Sequence, residues 1–141
     1  MNIRLICFVF LLGSSSAFGQ AVQLITADEA KQPAAAAKPA SRAITRGPAV
    51  KLLSPESVSG QFPFKIGFEP RGESKIDTAS IKVEYLKGPG VDLTERLKSG
   101  IKPAGIEIPA AAAPAGEHPI RVTVRDSEGR MGTAEFKLTV K

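Results

Sequence analysis

Four stretches of the 141-residue chain alternate large apolar and polar residues with a period of two. They are Phe62-Pro-Phe64-Lys-Ile66-Gly-Phe68-Glu, Ile81-Lys-Val83-Glu-Tyr85, Ile120-Arg-Val122-Thr-Val124-Arg and Ala134-Glu-Phe136-Lys-Leu138-Thr-Val140-Lys. Only an extended strand sets every second side chain on one face, so each run predicts a strand with one buried and one wet side. Strands of that kind belong to antiparallel sheet packed on one side. Two weaker runs, Val50-Lys-Leu52-Leu53 and Gly105-Ile-Glu-Ile108, join the set. Turn chemistry separates the runs at Pro70-Arg-Gly72, Gly88-Pro-Gly90, Ala115-Gly116 and Ser127-Glu-Gly129. About seven short strands spaced by such turns predict an all-β antiparallel β-sandwich, with a small closed barrel as the alternative.

One segment leaves the period. Asp92-Leu-Thr-Glu95-Arg-Leu97-Lys-Ser-Gly100-Ile101 spaces Leu93, Leu97 and Ile101 by four and puts Asp92 and Glu95 in capping-box relation before a glycine. The spacing predicts a short helical crossover between the sheets. An irregular strand with Val91 and Leu93 turned inward is the other reading.

The chain opens with Arg4, an apolar run from Leu5 to Leu12 and the small-residue stretch Ala17-Phe18-Gly19. Residues 1–19 therefore predict a secretory signal peptide, cleaved after Gly19 or after Ala21. The run is short of the ~20 apolar residues that span a bilayer, and no second one follows, so no transmembrane segment is expected in the mature chain. The expected destination is the periplasm or the medium. Cys7, the only cysteine, leaves with the signal, which excludes disulfides, thiolate metal sites and cysteine nucleophiles from the exported form.

Residues 20–48 are alanine-rich, hold three prolines and are short of large apolar residues after Ile25. Such a segment predicts a disordered, flexible tether. Thr26-Ala27-Asp28-Glu29 has the form of a capped helix start, to be read either as a short helix or as a nascent turn in the arm. Residues 49–141 remain for one domain with a single core. The net charge of +5 divides into +1 in the signal, +2 in the tether and +2 in the domain, a thin surplus rather than a patch.

The order SPESVSGQFPFKIGFEP, SIKVEYLKGPGVDLTERL, APAGEHPIRVTVRDSEGR and a terminal FKLTVK resembles the bacterial immunoglobulin-like domains of exported proteins. The likeness covers residues 49–141 and rests on strand alternation, turn glycines and a Pro-G-x-H-x-I-x-V-x-V-x-D-x-x-G-R run that forms the last hairpin in that family. It implies an immunoglobulin-like sandwich acting as a binding, spacing or structural module, with no catalytic residues and no cofactor. The tryptophan and cysteine pair of antibody domains are absent.

Little else reads as chemistry. His118 is the only histidine, and parity counted back from Val124 places it on the core side at the rim of the sandwich, packing or bonding to a loop. One imidazole without thiolates does not make a zinc site, nor a Ser-His-Asp triad without an acid and a serine in reach. Asp126-Ser-Glu128-Gly129 has two readings. In the structural one Asp126 accepts backbone N–H bonds and Gly129 supplies a positive φ; in the other Asp126 and Glu128 bind a cation. Residues 88–90 cannot cradle phosphate, since Pro89 lacks an N–H donor. The tether is basic but has no aromatics for stacking on bases, so nucleic acid is not an expected partner.

The expectation is therefore a non-enzymatic module that engages an unknown protein partner through an edge strand or loops, the loops being residues 70–74, 88–92 and 127–130. Arg71, Glu73, Lys82, Arg121, Arg125 and Arg130 are the candidate contact residues. The alternative is a weak binder of anionic envelope polymer or lipid surface through Lys82, Arg121 and Arg125 on outward strand faces.

Overall fold

A computed structural model describes residues 20–35 and 46–141 of the protein. The expected signal peptide, and residues 36–45 of the expected tether, lie outside the described residues.

The described chain runs β1 (Val22–Gln23), α1 (Ala27–Ala30), β2 (Ala49–Leu52), β3 (Ser57–Val58), β4 (Gln61–Glu69), β5 (Ile76–Tyr85) and β6 (Val91–Asp92). It continues through α2 (Thr94–Leu97), a 3₁₀ turn (Lys98–Gly100), β7 (Ile101–Lys102), β8 (Gly105–Ala112), β9 (Gly116–Asp126) and β10 (Met131–Val140). Two sheets of five strands form a sandwich. The first has the order β1-β8-β4-β2, with β7 also on β8; the second has the order β3-β10-β9-β5-β6.

The alternating runs become β4, β5, β9 and β10, and their apolar parity becomes the inner faces. Phe64, Ile66, Val83, Tyr85, Ile120, Val122, Val124 and Leu138 are all 1 % exposed or less. Each such side chain contributes about 1.5–3 kcal/mol by leaving water. The weak run at Gly105 extends to Ala112, through Pro109. The pairing of β4 with β8 shifts register between Phe62 and Phe64, so Pro63 faces Pro109 and Ala110 at a bulge. Both prolines, which cannot donate to a ladder, fall where the ladder is already broken. Ser54 holds the spot: its Oγ donates to Pro63 O at 2.9 Å and accepts from Lys65 N–H at 2.6 Å.

Strand β5 begins five residues before the alternation shows, at Ile76, because a bulge lies between Asp77 and Lys82. Asp77 Oδ1 accepts from Ala79 N–H at 3.0 Å, and Ser80 Oγ accepts from Arg125 N–H at 2.9 Å.

The sandwich departs from the sequence reading in four places. It has ten strands rather than about seven, the additions being two-residue strands too short to show a period. It is not wholly antiparallel, for β1 on β8 and β3 on β10 are parallel pairs. The crossover is helical, but Asp92 does not cap it in a box with Glu95. Asp92 ends β6 and accepts from Thr94 N–H at 2.8 Å, while Glu95 turns to Lys98. Gly100 is required for closeness rather than for a left-handed cap, since a Cβ there would run into Glu107 O.

The fourth departure is the largest. The arm expected to be a flexible tether is structured over β1 and α1. Leu24 and Ile25 are 0 % exposed and belong to the core. Thr26 caps α1 in a complete capping box with Glu29, so of the two readings of this stretch the helix is the one formed. The chain then bonds to the far sheet: Ala35 N–H donates to Leu86 O at 2.9 Å and Gly88 N–H to Pro33 O at 2.8 Å. Three apolar side chains within four residues, Val22, Leu24 and Ile25, offset the entropy of ordering a segment whose composition is otherwise that of a linker.

Leu24→Ala should destabilise the protein by about 2–4 kcal/mol in urea unfolding, whereas Leu53→Ala, at a side chain 63 % exposed, should change it by no more than about 0.5 kcal/mol. Equal effects would mean that the arm is not part of the core.

Candidate functional site

The candidate loops do not form one surface. Register places the start of β5, the end of β9 and the start of β10 together, so residues 70–75 and 127–130 share one end of the sandwich. Residues 86–90 lie at the opposite end with the β8–β9 connection, where Leu86 N–H donates to Pro119 O at 2.9 Å.

At the first end Asp126 organises the turn. It lies on the inner parity of β9 beside Ile76 and is 3 % exposed. Its Oδ1 accepts from Glu128 N–H at 3.0 Å and Arg130 N–H at 2.9 Å, and Oδ2 from Arg130 Nε at 2.8 Å. Burial pushes the carboxyl up, but the Arg130 N–H and guanidinium together with the Glu128 N–H outweigh it and hold the group below its ordinary range. Gly129 has φ +78°. The structural reading of this loop is therefore the one formed: both Asp126 oxygens are taken by donors, and Glu128 pairs with Arg130 at 2.7 Å. Arg130 also reaches Arg71 O at 3.2 Å, and Ser127 N–H donates to Lys75 O at 2.8 Å, which locks the two loops together. Arg71 and Glu73 stand exposed beside them.

The basic residues of the second sheet's outer face are mostly engaged. Lys82 pairs with Glu84 at 2.8 Å, and Arg121 meets Glu135 through Nε at 2.9 Å and Nη2 at 2.6 Å. Register lines up Asp92, Glu84, Arg121 and Glu135 in one row across four strands. Arg125 is exposed and has no ion pair among the described residues. The face is a ladder of mixed charge rather than a basic patch.

His118 is not at the rim but fully enclosed, 0 % exposed. The loop before β9 folds over it, and its Nε2 donates to Pro114 O at 2.7 Å. A carbonyl oxygen only accepts, so Nε2 carries the proton and Nδ1 accepts from the Tyr85 hydroxyl at 2.9 Å. Burial pushes the imidazole below its usual 6.5, with the Pro114 carbonyl opposing and Lys87 adding to the effect. Burial, followed by the Glu29 carboxylate, raises Tyr85 to about 12.

Above this pair sits the clasp that sequence reading did not find. Arg96 of α2 grips Glu29 of α1 with two bonds, 2.9 Å and 2.7 Å, and donates a third to Leu24 O at 3.0 Å. The Arg96 hydrogen bond first, then the Thr26 N–H and hydroxyl, against an opposing effect of burial, bring Glu29 from 4.5 to about 2. The capping box was visible in the sequence; a partner in α2, sixty-seven residues away, was not.

The remaining lateral feature is an absence of pairing. The β8 edge is covered by β1 and β7, whereas among the described residues β2 ends the first sheet. On the same side of the sandwich β10 is covered by β3 only at Thr139 and Val140. On this side β2 packs against β10, and the inner-face residues Val50, Leu52, Ala134 and Phe136 are half-buried while their counterparts deeper in the sheets are enclosed.

Among the described residues no helix is long and apolar enough to cross a membrane. Compared with known proteins, the chain matches no family model and no curated sequence.

Two acid steps should appear when urea unfolding is followed against pH. His118 is depressed in the folded state, so stability is complete above pH 6.5 and falls as acid protonates the unfolded chain. The contribution of Glu29 is complete above pH 4.5 and is lost as the pH falls towards about 2. His118→Gln should flatten the upper step and Glu29→Gln the lower; unchanged slopes in both variants would refute these roles.

Proposed function

We propose that the chain is an exported, non-catalytic immunoglobulin-like module that binds a protein partner. The observation that carries this reading is the asymmetry of the sandwich. One lateral side is closed by the protein's own N-terminal segment, α2 and β7; on the other, among the described residues, β2 ends one sheet and β10 is paired beyond β9 only at Thr139 and Val140, with β2 packed against it.

The immunoglobulin-like assignment is supported by the strand order. One sheet holds the first, third and seventh strands of the domain, β2, β4 and β8; the other holds β10, β9, β5 and β6 as consecutive neighbours. The leading strand is split, β2 lying in one sheet and β3 in the other, as the chain crosses at Ser54 and Pro55. In immunoglobulin domains the strands of the two sheets are shared out in this manner. The non-catalytic reading is supported by the state of His118, whose two ring nitrogens are both engaged in the interior. Export rests on the signal-like residues 1–19. Cleavage after Gly19 or after Ala21 leaves Val22, Leu24 and Ile25 in the mature chain, so either site preserves the closed side.

The alternative, a binder of anionic polymer or lipid, loses support because Lys82 and Arg121 already face carboxylates of their own sheet.

Mass analysis of the N-terminal peptide of the exported protein should show a chain beginning at Gln20 or Val22. The mature protein used as bait in envelope extract should retain one partner in stoichiometric amount at moderate salt. Recovery of nothing above background would sink the protein-binding reading, and retention abolished by added salt would favour the anionic surface instead.

A further inference from the structure

Resting on that reading, we propose that the partner binds where the N-terminal segment is seated, along the edge of β8 and against α2. Residues 22–30 are a replaceable strap, and their replacement is an extended segment of the partner carrying two adjacent apolar residues with a carboxylate four or five positions further on.

The seated strap shows what the cleft reads. Val22 and Gln23 pair with Ala111 and Ala112 as a parallel strand, and Leu24 N–H extends the contact to Ala112 O at 2.8 Å. Such main-chain bonds to a sheet edge are the part of strand addition that any sequence can make. The side chains supply the selectivity. Leu24 and Ile25 are enclosed in the core, and Glu29 is held through both its oxygens by Arg96 Nη1 and Nη2. Arg96 Nη1 also donates to Leu24 O at 3.0 Å, so one guanidinium fixes the spacing between the apolar pair and the acid.

The floor beneath the strap is complete without it. The Tyr85 hydroxyl donates to His118 Nδ1 and His118 Nε2 to Pro114 O, so the polar side chains under the seat are satisfied by residues of the sandwich itself. The side chains that lose a partner when the strap leaves are Arg96, Glu29 and Lys87, whose Nζ donates to Ala30 O at 3.2 Å. All three are partly exposed already and find water at once. Removing a strand whose contacts satisfied an enclosed polar side chain of the body would strand that group at full desolvation cost. This strap holds by apolar contact and a wet-sided ion pair, and its departure orphans no such group.

The occupant that replaces it is a different protein. A second copy would offer the same strap with the same contacts, and in dilute solution it loses to the tethered one, whose effective concentration is about millimolar. A foreign segment can exceed the strap, because β1 gives only two residues to the ladder and the next half-buried apolar position after Ile25 holds an alanine, Ala30. The strap keeps the core sealed until a segment of the same pattern, with more to bury, takes the seat.

The test uses the mature protein and a labelled synthetic peptide of residues 20–35 as the probe. Loosening the protein's own strap raises the open fraction, so Leu24→Ala should bind the probe about tenfold or more tighter than the native protein does. Glu29→Gln, which leaves the core intact, should act in the same direction and covers the case in which Leu24→Ala does not fold. Gln23→Cys with Ala112→Cys ties the strap down across paired positions in a mature chain that has no other cysteine. Its oxidised form should bind neither the probe nor the partner from envelope extract, and reduction should restore both. A probe that binds neither loosened variant, or binds the oxidised protein as well as the reduced one, would overturn the proposal. So would a concentration-dependent dimer of the loosened variants that the probe dissolves, which would assign the seat to a second copy. A partner retained equally by the oxidised and reduced forms would overturn it while leaving the protein-binding reading intact.

Discussion

With a single cysteine in the chain no disulfide can pin the two sheets together, so apolar contact between their inner faces must hold them and must also be sealed at the sides. A domain of this size has little core to spare, and each lateral gap admits water to the residues at its margin. The N-terminal segment answers that constraint on one side. Leu24 and Ile25 enter the core beside β8, and the Glu29–Arg96 clasp fastens the segment to the crossover helix that closes the same side. Tyr85 and His118 lie beneath it with their polar atoms paired to each other and to Pro114. A buried tyrosine and a buried histidine are tolerable here because each satisfies the other, and neither would be if water reached only one of them.

The sheets were legible and the sides were not, for one physical reason. A strand with a wet face writes its parity into the sequence, so Phe62 to Phe68, Ile120 to Val124 and Ala134 to Val140 could be read directly, and Asp126 and Gly129 announced their turn. The parts that close the sandwich carry no period. Strand β1 is two residues long, and its surroundings are alanine and proline, the composition of a linker. What composition averaged away was local: Val22, Leu24 and Ile25 stand immediately before a capping box, and that pairing of an apolar run with a helix start is a signal of docking. The tertiary partners, Arg96 and Ala111, come from segments distant in sequence and leave no mark near residue 25.

His118 shows the same limit at a single residue. Parity placed it on the inner face of β9, correctly, but parity says nothing about depth along the strand direction. The rim expected there is covered by the loop that carries Pro114 and by Lys87, which also donates to Ala30 O at 3.2 Å. The candidate contact residues do not gather into one basic surface for a related reason. Outward parity marks a side chain as exposed, yet on a sheet the outward residues are one another's neighbours across the strands, and Lys82 and Arg121 find carboxylates there.

The side where β2 meets β10 poses the problem that any incompletely paired sheet edge poses, since a long apolar edge invites pairing with copies of itself. Here the edge is shortened from both ends. Pro48 cannot donate to a ladder and crowds the first residues of β10, β3 caps the last two, and ion-paired Glu135 and Lys137 stand on the outer face between them. These are devices against association of folded sheets, and each acts on length or on charge. None of them removes the main-chain groups of residues 133–137 or the half-buried Phe136 behind them.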